Sequence, residues 1–323
     1  MGSVIVLHAS EEGYDHSHER VTCTKLAPRL AALKGFDFKQ RCGSFGGSQE
    51  QLYFVPRQTL IGDVARELGI TGENDLFGGV VSHAVVATKA ITHPLVSTEA
   101  HAPEDWCRNF AERVGEAVLA GYAAFTVSDA HEAGLRFLRH GPVRIKPVRE
   151  TGGRGQIAVK SEVALQVALG SIHEMEILRF GLVLEENLDD VVTQSVGQVR
   201  VSELVASYYG TQGLTSDNAG AEVYGGSELL VVRGGFDALL AHCVPGAARE
   251  AVSRACFFDA AVAECFPGFF ASRRNYDVAQ GFGFKNEARC GVLEQSWRIG
   301  DASGAEIAAL EAFTLRTGSP TWG

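Results

Sequence analysis

The sequence lacks any hydrophobic run that approaches the roughly 18 residues needed to cross a membrane. Its start, MGSVIVLHAS, has no basic segment and about four consecutive apolar residues, too few for a secretory signal peptide. Positive charge is also scarce, because 29 Lys and Arg residues stand against 39 Asp and Glu residues, for a formal net charge of −10 at pH 7. This balance disfavours proteins that bind nucleic acid or anionic membranes. We therefore expect a cytoplasmic protein that binds neither.

Several motifs of known chemistry are absent as well. The seven cysteines are widely spaced, without a C-x-x-C pair or histidines at zinc-ligand spacing, so we expect reduced thiols. The pattern G-x-x-x-x-G-K-[ST] does not occur, which excludes a P-loop nucleotide site. The histidines, including His83 and His93, show no pattern typical of a base and a nucleophile, so covalent catalysis is not indicated.

What the sequence does have is length and ample apolar content. Its 323 residues, 46% of them hydrophobic, can form roughly two or three packed units. Strand-like segments alternate with helical patterns at the start of the chain, which is typical of an α/β domain. The strands are expected at 4–9, at 51–55 and from 78, and the helices at 16–33 and 59–68. Further on, the sequence predicts a long amphipathic helix over 103–121 and a final helix opened by a capping box, Ser303 to Glu306.

A glycine-rich segment, RETGGRG (149–155), follows a predicted strand. It begins a G-x-G-x-x-A pattern, which in NAD-binding Rossmann folds requires a helix that starts at the glycines. Here the alternating, β-branched QIAVK (156–160) and the helix N-cap Ser161 predict a hairpin instead. Lys146 stands in the apolar first strand of that hairpin, where an ammonium group requires an anionic partner. The alternative is a simple turn without a ligand.

Two predicted strands near the C-terminus, in the segment 272–300, carry acidic residues. A turn-rich connection allows the strands to pair antiparallel, so that Asp277, Glu294 and Ser296 converge as oxygen ligands of the kind Mg²⁺ prefers. Even spacing places four side chains on one face of the second strand, namely Val292, Glu294, Ser296 and Arg298. The alternative is ion pairing that pins the two strands, either Glu294 with Arg298 or Asp277 with Arg274.

The order of these features, a hairpin with a lysine, an acidic strand end, an aspartate and then E-x-S-x-R, resembles the ATP-grasp superfamily. The resemblance extends over about residues 78–313, and the segments RIKPVRETGGRGQ, SRRNYD and GVLEQSWRIG are similar to an uncharacterised bacterial family within it. It implies a mixed α/β and α+β architecture in which two α+β subdomains clasp ATP behind a Rossmann-like N-terminal domain. The corresponding boundaries are 1–95 for the N-terminal domain, 96–185 for the small subdomain and 186–323 for the large one.

The resemblance also implies how ATP is bound. Lys146 would contact the α- and β-phosphates, and Lys89 would be a further phosphate lysine, unless it is an exposed lysine at a helix start. The flexible phosphate loop would contain Gly152, Gly153, Arg154 and Gly155. The segment LVLEENL would read the adenine edge through the backbone of Glu185, Glu186, Asn187 and Leu188. The ribose would bind to Asp189 or Asp190, for which the alternative is a solvated acidic turn.

The same resemblance implies two magnesium ions held by Asp277, Glu294 and Ser296, although the family more often has asparagine where Ser296 stands. Arg298 would stabilise negative charge on the reacting group, with Arg274 sharing that role. An arginine is common in the family where this chain has Asn275. This difference places the anion-stabilising role on Arg298.

The implied activity is an ATP- and Mg²⁺-dependent ligase that activates a small-molecule carboxylate as an acylphosphate for capture by an amine or a thiol, acting as a possible homodimer. The acid is expected beside Arg298 and a polar loop at 208–220. The candidate substrate residues are Tyr209, Gln212, Thr215, Asn218 and Arg233, the last being either a carboxylate clamp or part of an interior ion pair. The alternatives are a phosphotransferase or carboxylase-type enzyme, an ATP-binding sensor without turnover and, if the glycines start a helix, an NAD-binding oxidoreductase.

Overall fold

The fold begins with a parallel sheet whose strands read as short apolar runs. The computed structural model describes residues 2–7, 18–39, 50–149, 155–216, 222–242, 246–315 and 321–322. The sheet has the order β2-β1-β3, and the helix α1 packs on it. Its elements are β1 (Gly2–Leu7), α1 (His18–Lys34), β2 (Asp37–Lys39) and β3 (Gln51–Pro56). Val4, Ile5 and Val6 are all buried, because both faces of the parallel sheet are covered.

A second small sheet connects this unit to the rest of the molecule. Its strand β5 (Gly79–Val81) pairs parallel with β4 (Leu60–Ile61) and antiparallel with β13 (Phe270–Ala271). The helix predicted over 59–68 is shorter than expected, because α2 (Gly62–Glu67) begins only after β4. Two 3-10 helices follow β5, at Ala84–Ala87 and Lys89–Thr92.

The prediction of a long helix over 103–121 is wrong. Only α3 (Arg108–Val114) forms, and it ends at Gly115. The apolar periodicity that suggested a longer helix reflects burial, because Phe110, Val114 and Val118 all lie in one core although Val118 is outside the helix. A repeating apolar pattern therefore located the buried side chains but overestimated the helix.

The middle of the chain forms an α+β unit with the sheet order β6-β9-β7-β8. Three helices pack with this sheet around a shared apolar core. The elements are β6 (Gly121–Ala124), α4 (Val127–Leu138), β7 (Val143–Pro147), β8 (Ile157–Val159), α5 (Glu162–Gly170), α6 (Glu174–Phe180) and β9 (Leu182–Glu186). The segment LVLEENL, which follows α6, is strand as far as Glu186. We call this unit the small subdomain.

The C-terminal part is built on an antiparallel sheet with the order β15-β14-β10-β11-β12-β16. One face packs on the helices α7 and α8, and the other packs on α9 and on α1. Its elements are β10 (Asp189–Val201), β11 (Leu204–Ser216), β12 (Glu222–Arg233), α7 (Phe236–Ala241), α8 (Gly246–Cys265), β14 (Arg273–Phe282), β15 (Ala288–Ser296), α9 (Ser303–Leu315) and β16 (Thr321–Trp322). We call this unit the large subdomain. The polar loop predicted at 208–220 is instead strand up to Ser216.

The helix α9 is held to the sheet by a buried ion pair. Arg273, on β14, donates three hydrogen bonds of 2.8–3.1 Å to the carboxylate of Glu306. The predicted capping box is therefore wrong, because Glu306 points into the core and Ser303 Oγ accepts from the Gly300 N–H at 3.1 Å. Although burial opposes the charged form, the Glu306 carboxylate raises the pKa of Arg273 further above its ordinary value.

No helix within the described part of the chain is long and apolar enough to span a bilayer.

Because the pair of Arg273 with Glu306 is buried, we expect two carboxylates of α9 to differ strongly in their contribution to the free energy of unfolding. Glu306→Ala leaves Arg273, which is 1% exposed, as an uncompensated buried charge, and we expect a loss of about 3–5 kcal/mol in the free energy of unfolding. Glu311→Ala is the matched control, because its pair with Arg29 is about one-third exposed and should contribute less than about 1 kcal/mol. Urea unfolding of both variants measures the difference, and equal losses would contradict it.

Candidate nucleotide and cation site

A buried charge cluster lies on the sheet of the small subdomain. Lys146, on β7, contacts Glu185 Oε1 on the neighbouring β9, and His93 Nε2 lies 3.3 Å from Glu185 Oε2. The Lys146 and Glu185 side chains are 5% and 2% exposed, so each charge depends on the other. Burial alone would raise the pKa of Glu185, but Lys146 and His93 hold it at about 2. The anionic partner that the sequence requires for Lys146 is, in this structure, Glu185.

The glycine-rich segment joins two antiparallel strands. β7 pairs with β8, and Gly155, at φ +66°, leads into β8 rather than into a helix. The helix α5 begins only after Ser161, whose Oγ accepts from the Ala164 N–H at 3.2 Å. The antiparallel pairing of β7 with β8 and the N-cap Ser161 of α5 are confirmed, and the NAD-binding alternative is wrong because Gly155 is followed by a strand. Gly152, Gly153 and Arg154 lie outside the described residues.

The connection between the subdomains is short and well bonded. The Glu186 N–H donates to the Ala120 carbonyl at 2.9 Å, and the Asn187 N–H donates to the Pro142 carbonyl at 3.1 Å. The Glu186 carboxylate accepts from the Ala120 N–H and from Arg289 Nε, each at 3.1 Å. The backbone amides and side chains of these two predicted adenine readers thus hold the connection itself in place.

An apolar patch follows the connection and was not predicted as a group. Leu188, Leu119 and Ala279 form a small buried cluster against which Leu293 packs. Leu293 precedes Glu294 at a β-bulge, where the register of β14 and β15 shifts between Asp277 and Val278. The sequence gives one indication of this cluster, the apolar Leu293 next to Glu294. The bulge itself cannot be predicted from the alternation of apolar and polar residues.

The ribose candidates stand at the start of β10. Asp189 and Asp190 are both exposed, and Asp190 has φ +50°, a left-handed conformation that aspartate tolerates better than most residues. The structure brings them next to Leu188 and leaves their carboxylates accessible.

The carboxylates Asp277 and Glu294 face each other directly. β14 and β15 pair antiparallel with Asp277 opposite Glu294 and Asn275 opposite Ser296, so all four share one face of the sheet. The prediction that Val292 lies on this face is wrong. Val292 pairs with Val278, and the extra residue at the bulge turns it into the core under α8.

Neutral donors surround the half-buried Asp277. Its Oδ1 accepts from Gln212 Nε2 at 2.9 Å, from Asn275 Nδ2 at 3.0 Å and from Ser195 Oγ at 3.3 Å. Burial, together with the opposing Glu294 carboxylate, raises the pKa of Asp277 to about 6. The described residues contain no group of three His, Cys, Asp or Glu side chains that could hold a metal. Two facing carboxylates and one hydroxyl nevertheless fit a hard divalent cation that completes its shell with phosphate oxygens or water.

Arg273 fixes the position of Ser296, whose hydroxyl is the third candidate oxygen ligand beside Asp277 and Glu294. Its Nη1 donates to Ser296 Oγ at 3.2 Å, to the Ser296 carbonyl at 3.1 Å and to the Arg298 carbonyl at 2.8 Å. Sequence reasoning missed Arg273 and favoured Arg274, its neighbour. Because alternate residues of a strand face opposite ways, Arg274 lies on the other face, where it pairs with Asp259 at 3.1 Å and Glu73 at 2.8 Å. The structure therefore does not bring Arg274 to the carboxylates.

Arg298 lies just beyond β15, which ends at Ser296. Its guanidinium is half-buried and donates to the Ile299 carbonyl at 2.9 Å. The regular alternation predicted from Glu294 to Arg298 therefore stops before Arg298, although its backbone remains tied to the site through Arg273.

Lys89 is buried rather than exposed, so the alternative of an exposed helix-start lysine is wrong. It begins the 3-10 helix Lys89–Thr92, and its Nζ lies 2.7 Å from Glu294 Oε2. His93, at the other end of the same helix, reaches Glu185. One short helix thus contacts both the carboxylate beside Lys146 and the carboxylate opposite Asp277.

The predicted substrate residues divide between the two faces of β11. Gln212 reaches Asp277, whereas Tyr209 packs in the core under α8. Tyr208 takes the site face instead and donates to Asn275 Oδ1 at 2.9 Å. Thr215 lies further along β11, opposite Val223, and Asn218 lies outside the described residues. Arg233 is exposed and lies opposite Ala206, at the far end of β11 from Gln212. The interior ion pair is therefore wrong, and the carboxylate clamp stays a prediction.

Comparisons with known proteins agree on the architecture. Residues 6–321 match the profile of a family described as "Protein of unknown function (DUF3182)", and no curated protein matches the sequence. The chain is similar to D-alanyl-alanine synthetase A from Vibrio cholerae O1 biovar eltor, with a TM-score of 0.54, 9% identity and coverage of 92% of this chain and 88% of that chain. It is also similar to D-alanine–D-alanine ligase from Bacillus anthracis, with a TM-score of 0.52, 10% identity and coverage of 98% and 96%. A D-cycloserine synthetase gives a TM-score of 0.50 at 12% identity, with coverage of 97% and 99%.

At these identities the similarity concerns the fold, and it confirms the predicted mixed α/β architecture. The chain belongs to the family of unknown function DUF3182, and its fold is that of the ATP-grasp superfamily.

Proposed function

We propose that the protein is an ATP- and Mg²⁺-dependent ligase that joins a small-molecule carboxylate to an amine or a thiol. The observation that carries this proposal is the pairing of Asp277 with Glu294 on adjacent strands, within reach of the buried Lys89. The 3-10 helix that begins at Lys89 links this pair to the second buried lysine, Lys146, through His93 and Glu185. Cationic groups for phosphates and oxygen ligands for a cation thus lie at one junction between the subdomains.

The nucleotide base is proposed to lie against the half-buried Leu293, which packs on the buried cluster of Leu119, Leu188 and Ala279. Because the N–H groups of Glu186 and Asn187 already donate to carbonyls of the small subdomain, the next N–H, that of Leu188, is the proposed donor to the adenine edge. Asp189 or Asp190 would then accept from the ribose hydroxyls. The phosphates would extend toward Lys146 and Lys89, with the glycine hairpin over them.

Asp277, Glu294 and Ser296 are the proposed ligands of the cation. These residues would hold the cation, whose positive charge would offset the negative charge that develops during phosphoryl transfer. Asn275 and Gln212 hold the Asp277 carboxylate through their amide groups, and Arg273 holds Ser296 through both its hydroxyl and its carbonyl. These contacts support a preorganised set of oxygen atoms whose geometry does not depend on flexible loops.

The acid substrate is proposed to lie beside the γ-phosphate, near Arg298 and the exposed part of Gln212. A guanidinium there would bind the substrate carboxylate and stabilise the acylphosphate formed from it. The amine or thiol would then attack the acylphosphate and displace phosphate.

Glu294→Gln should abolish ATP turnover while the fold persists, because an amide keeps the volume but removes a charged cation ligand. Phosphate release and thermal unfolding measure the two effects. Glu287→Gln, on the same hairpin but paired with Arg289, is the control and should retain turnover. Unchanged phosphate release by Glu294→Gln would remove Glu294 from the cation site.

Lys146→Ala should weaken ATP affinity at least tenfold, or by about 1.4 kcal/mol, because it removes a cation from the phosphates. Titration with a non-hydrolysable ATP analogue measures the affinity. Circular dichroism at the same temperature verifies folding, since Glu185 loses its buried partner in this variant. The exposed Lys160→Ala is the control, and wild-type affinity in Lys146→Ala would exclude Lys146 from the site.

The reaction class is tested with pools of carboxylates and amines. A ligase should release ADP and phosphate only when both an acid and an acceptor are present. Nucleotide binding without turnover in any pool would instead indicate a sensor, and transfer of phosphate to a stable product would indicate a phosphotransferase.

A further inference from the structure

Lys89 and Glu294 form a charge pair at the place where the proposed function puts a divalent cation. Lys89 Nζ lies 2.7 Å from Glu294 Oε2, and the side chains are 8% and 28% exposed. Glu294 lies directly opposite Asp277. An ammonium group thus already neutralises one of the two carboxylates that the cation would need.

The position of Lys89 is fixed by several contacts. Gln295, next to Glu294 on β15, donates from Nε2 to the Thr88 carbonyl at 2.8 Å and to the Val86 carbonyl at 3.2 Å. Thr88 caps the 3-10 helix by accepting from the Ala90 N–H at 3.3 Å, and its hydroxyl donates to the Val85 carbonyl at 2.7 Å. Because adjacent residues of one strand hold the lysine and its backbone, the pair is part of the fold rather than a chance surface contact.

A divalent cation and this ammonium would repel each other strongly. A cation held by both Asp277 and Glu294 would lie close to Lys89 Nζ, and burial limits the screening of like charges. A triphosphate offsets this repulsion, because it supplies enough negative charge to bind the cation and the Lys89 ammonium together.

We infer that Lys89 is the counter-ion of Glu294 in the nucleotide-free protein and makes divalent-cation binding depend on nucleotide. This inference rests on the proposed function and adds a regulation of the same site. Nucleotide phosphates draw the Lys89 ammonium away from Glu294, which frees that carboxylate for the cation. By thermodynamic linkage, the cation in turn increases the affinity for the nucleotide by the same factor.

The test measures Mn²⁺ binding to the full chain by electron paramagnetic resonance, with and without a non-hydrolysable ATP analogue. Wild type should bind Mn²⁺ weakly alone and tightly with the analogue. Lys89→Met should bind Mn²⁺ at least tenfold more tightly than wild type without the analogue and should gain less affinity when the analogue is added. Lys89→Arg retains the charge and should behave like wild type. The exposed Lys25→Met, on α1, controls for the change in net charge and should also match wild type.

The outcomes separate this inference from the proposed function. If wild type binds Mn²⁺ with the analogue but Lys89→Met binds Mn²⁺ alone no better than wild type, the counter-ion role is overturned and the nucleotide site remains. If wild type fails to bind Mn²⁺ even with the analogue, the result contradicts both the counter-ion role of Lys89 and the proposed function. Should Lys89→Met fail to fold, Lys89→Gln removes the charge while keeping a hydrogen-bond donor for Glu294, and the same tenfold gain is expected of it.

Discussion

A buried cation needs an anion held by another part of the fold, and this constraint organises the molecule. Lys146 on the small subdomain binds Glu185, Lys89 on a 3-10 helix binds Glu294, and Arg273 on the large sheet binds Glu306. Each pair joins elements that are distant in sequence or lie on neighbouring strands. In the pairs Lys146–Glu185 and Arg273–Glu306 both side chains are buried, so loss of one partner would leave the other charge without water or a counter-ion. The apolar cores set the layers of the fold, whereas these pairs fix how elements meet at the junction.

The junction combines groups with different physical roles. Leu119, Leu188 and Ala279 form a buried apolar cluster under the half-buried Leu293, whereas the lysines and carboxylates of the junction suit a polyanion and its cation. Backbone contacts bring these parts together closely: Gly291 lies against the backbone of Leu119, and a side chain at this position would collide with it. Glycine is required there because two main chains touch, which lets β15 run beside the entry to the small subdomain.

Sequence reasoning recovered the parts of the fold and site that depend on local pattern. The hairpin after Lys146 and the antiparallel pairing of the strands around Asp277 and Glu294 both follow from strand alternation and turn residues. It failed where tertiary contacts decide. The helix over 103–121 stopped at Gly115, Glu306 bonded to Arg273 instead of capping its own helix, and Arg274 turned away while Arg273 faced the site. Alternation sorts Arg273 and Arg274 onto opposite faces, but only the position of β14 in the sheet says which face carries the carboxylates.

The bulge at Leu293 adds one residue to β15, and this residue decides which face of the sheet each later side chain occupies. Before the bulge, even-numbered residues of β15 such as Val292 face the core. After it, even-numbered residues such as Glu294 face away from the core. Regular pairing of β15 with β14 that kept every residue would rotate each side chain after Val292 by half a turn, so that Glu294 would enter the apolar core and Trp297 would leave it. The extra residue Leu293 therefore sets which face Glu294 and Ser296 occupy, and a protein with the same site needs either this bulge or a strand that is one residue shorter between Val292 and Trp297.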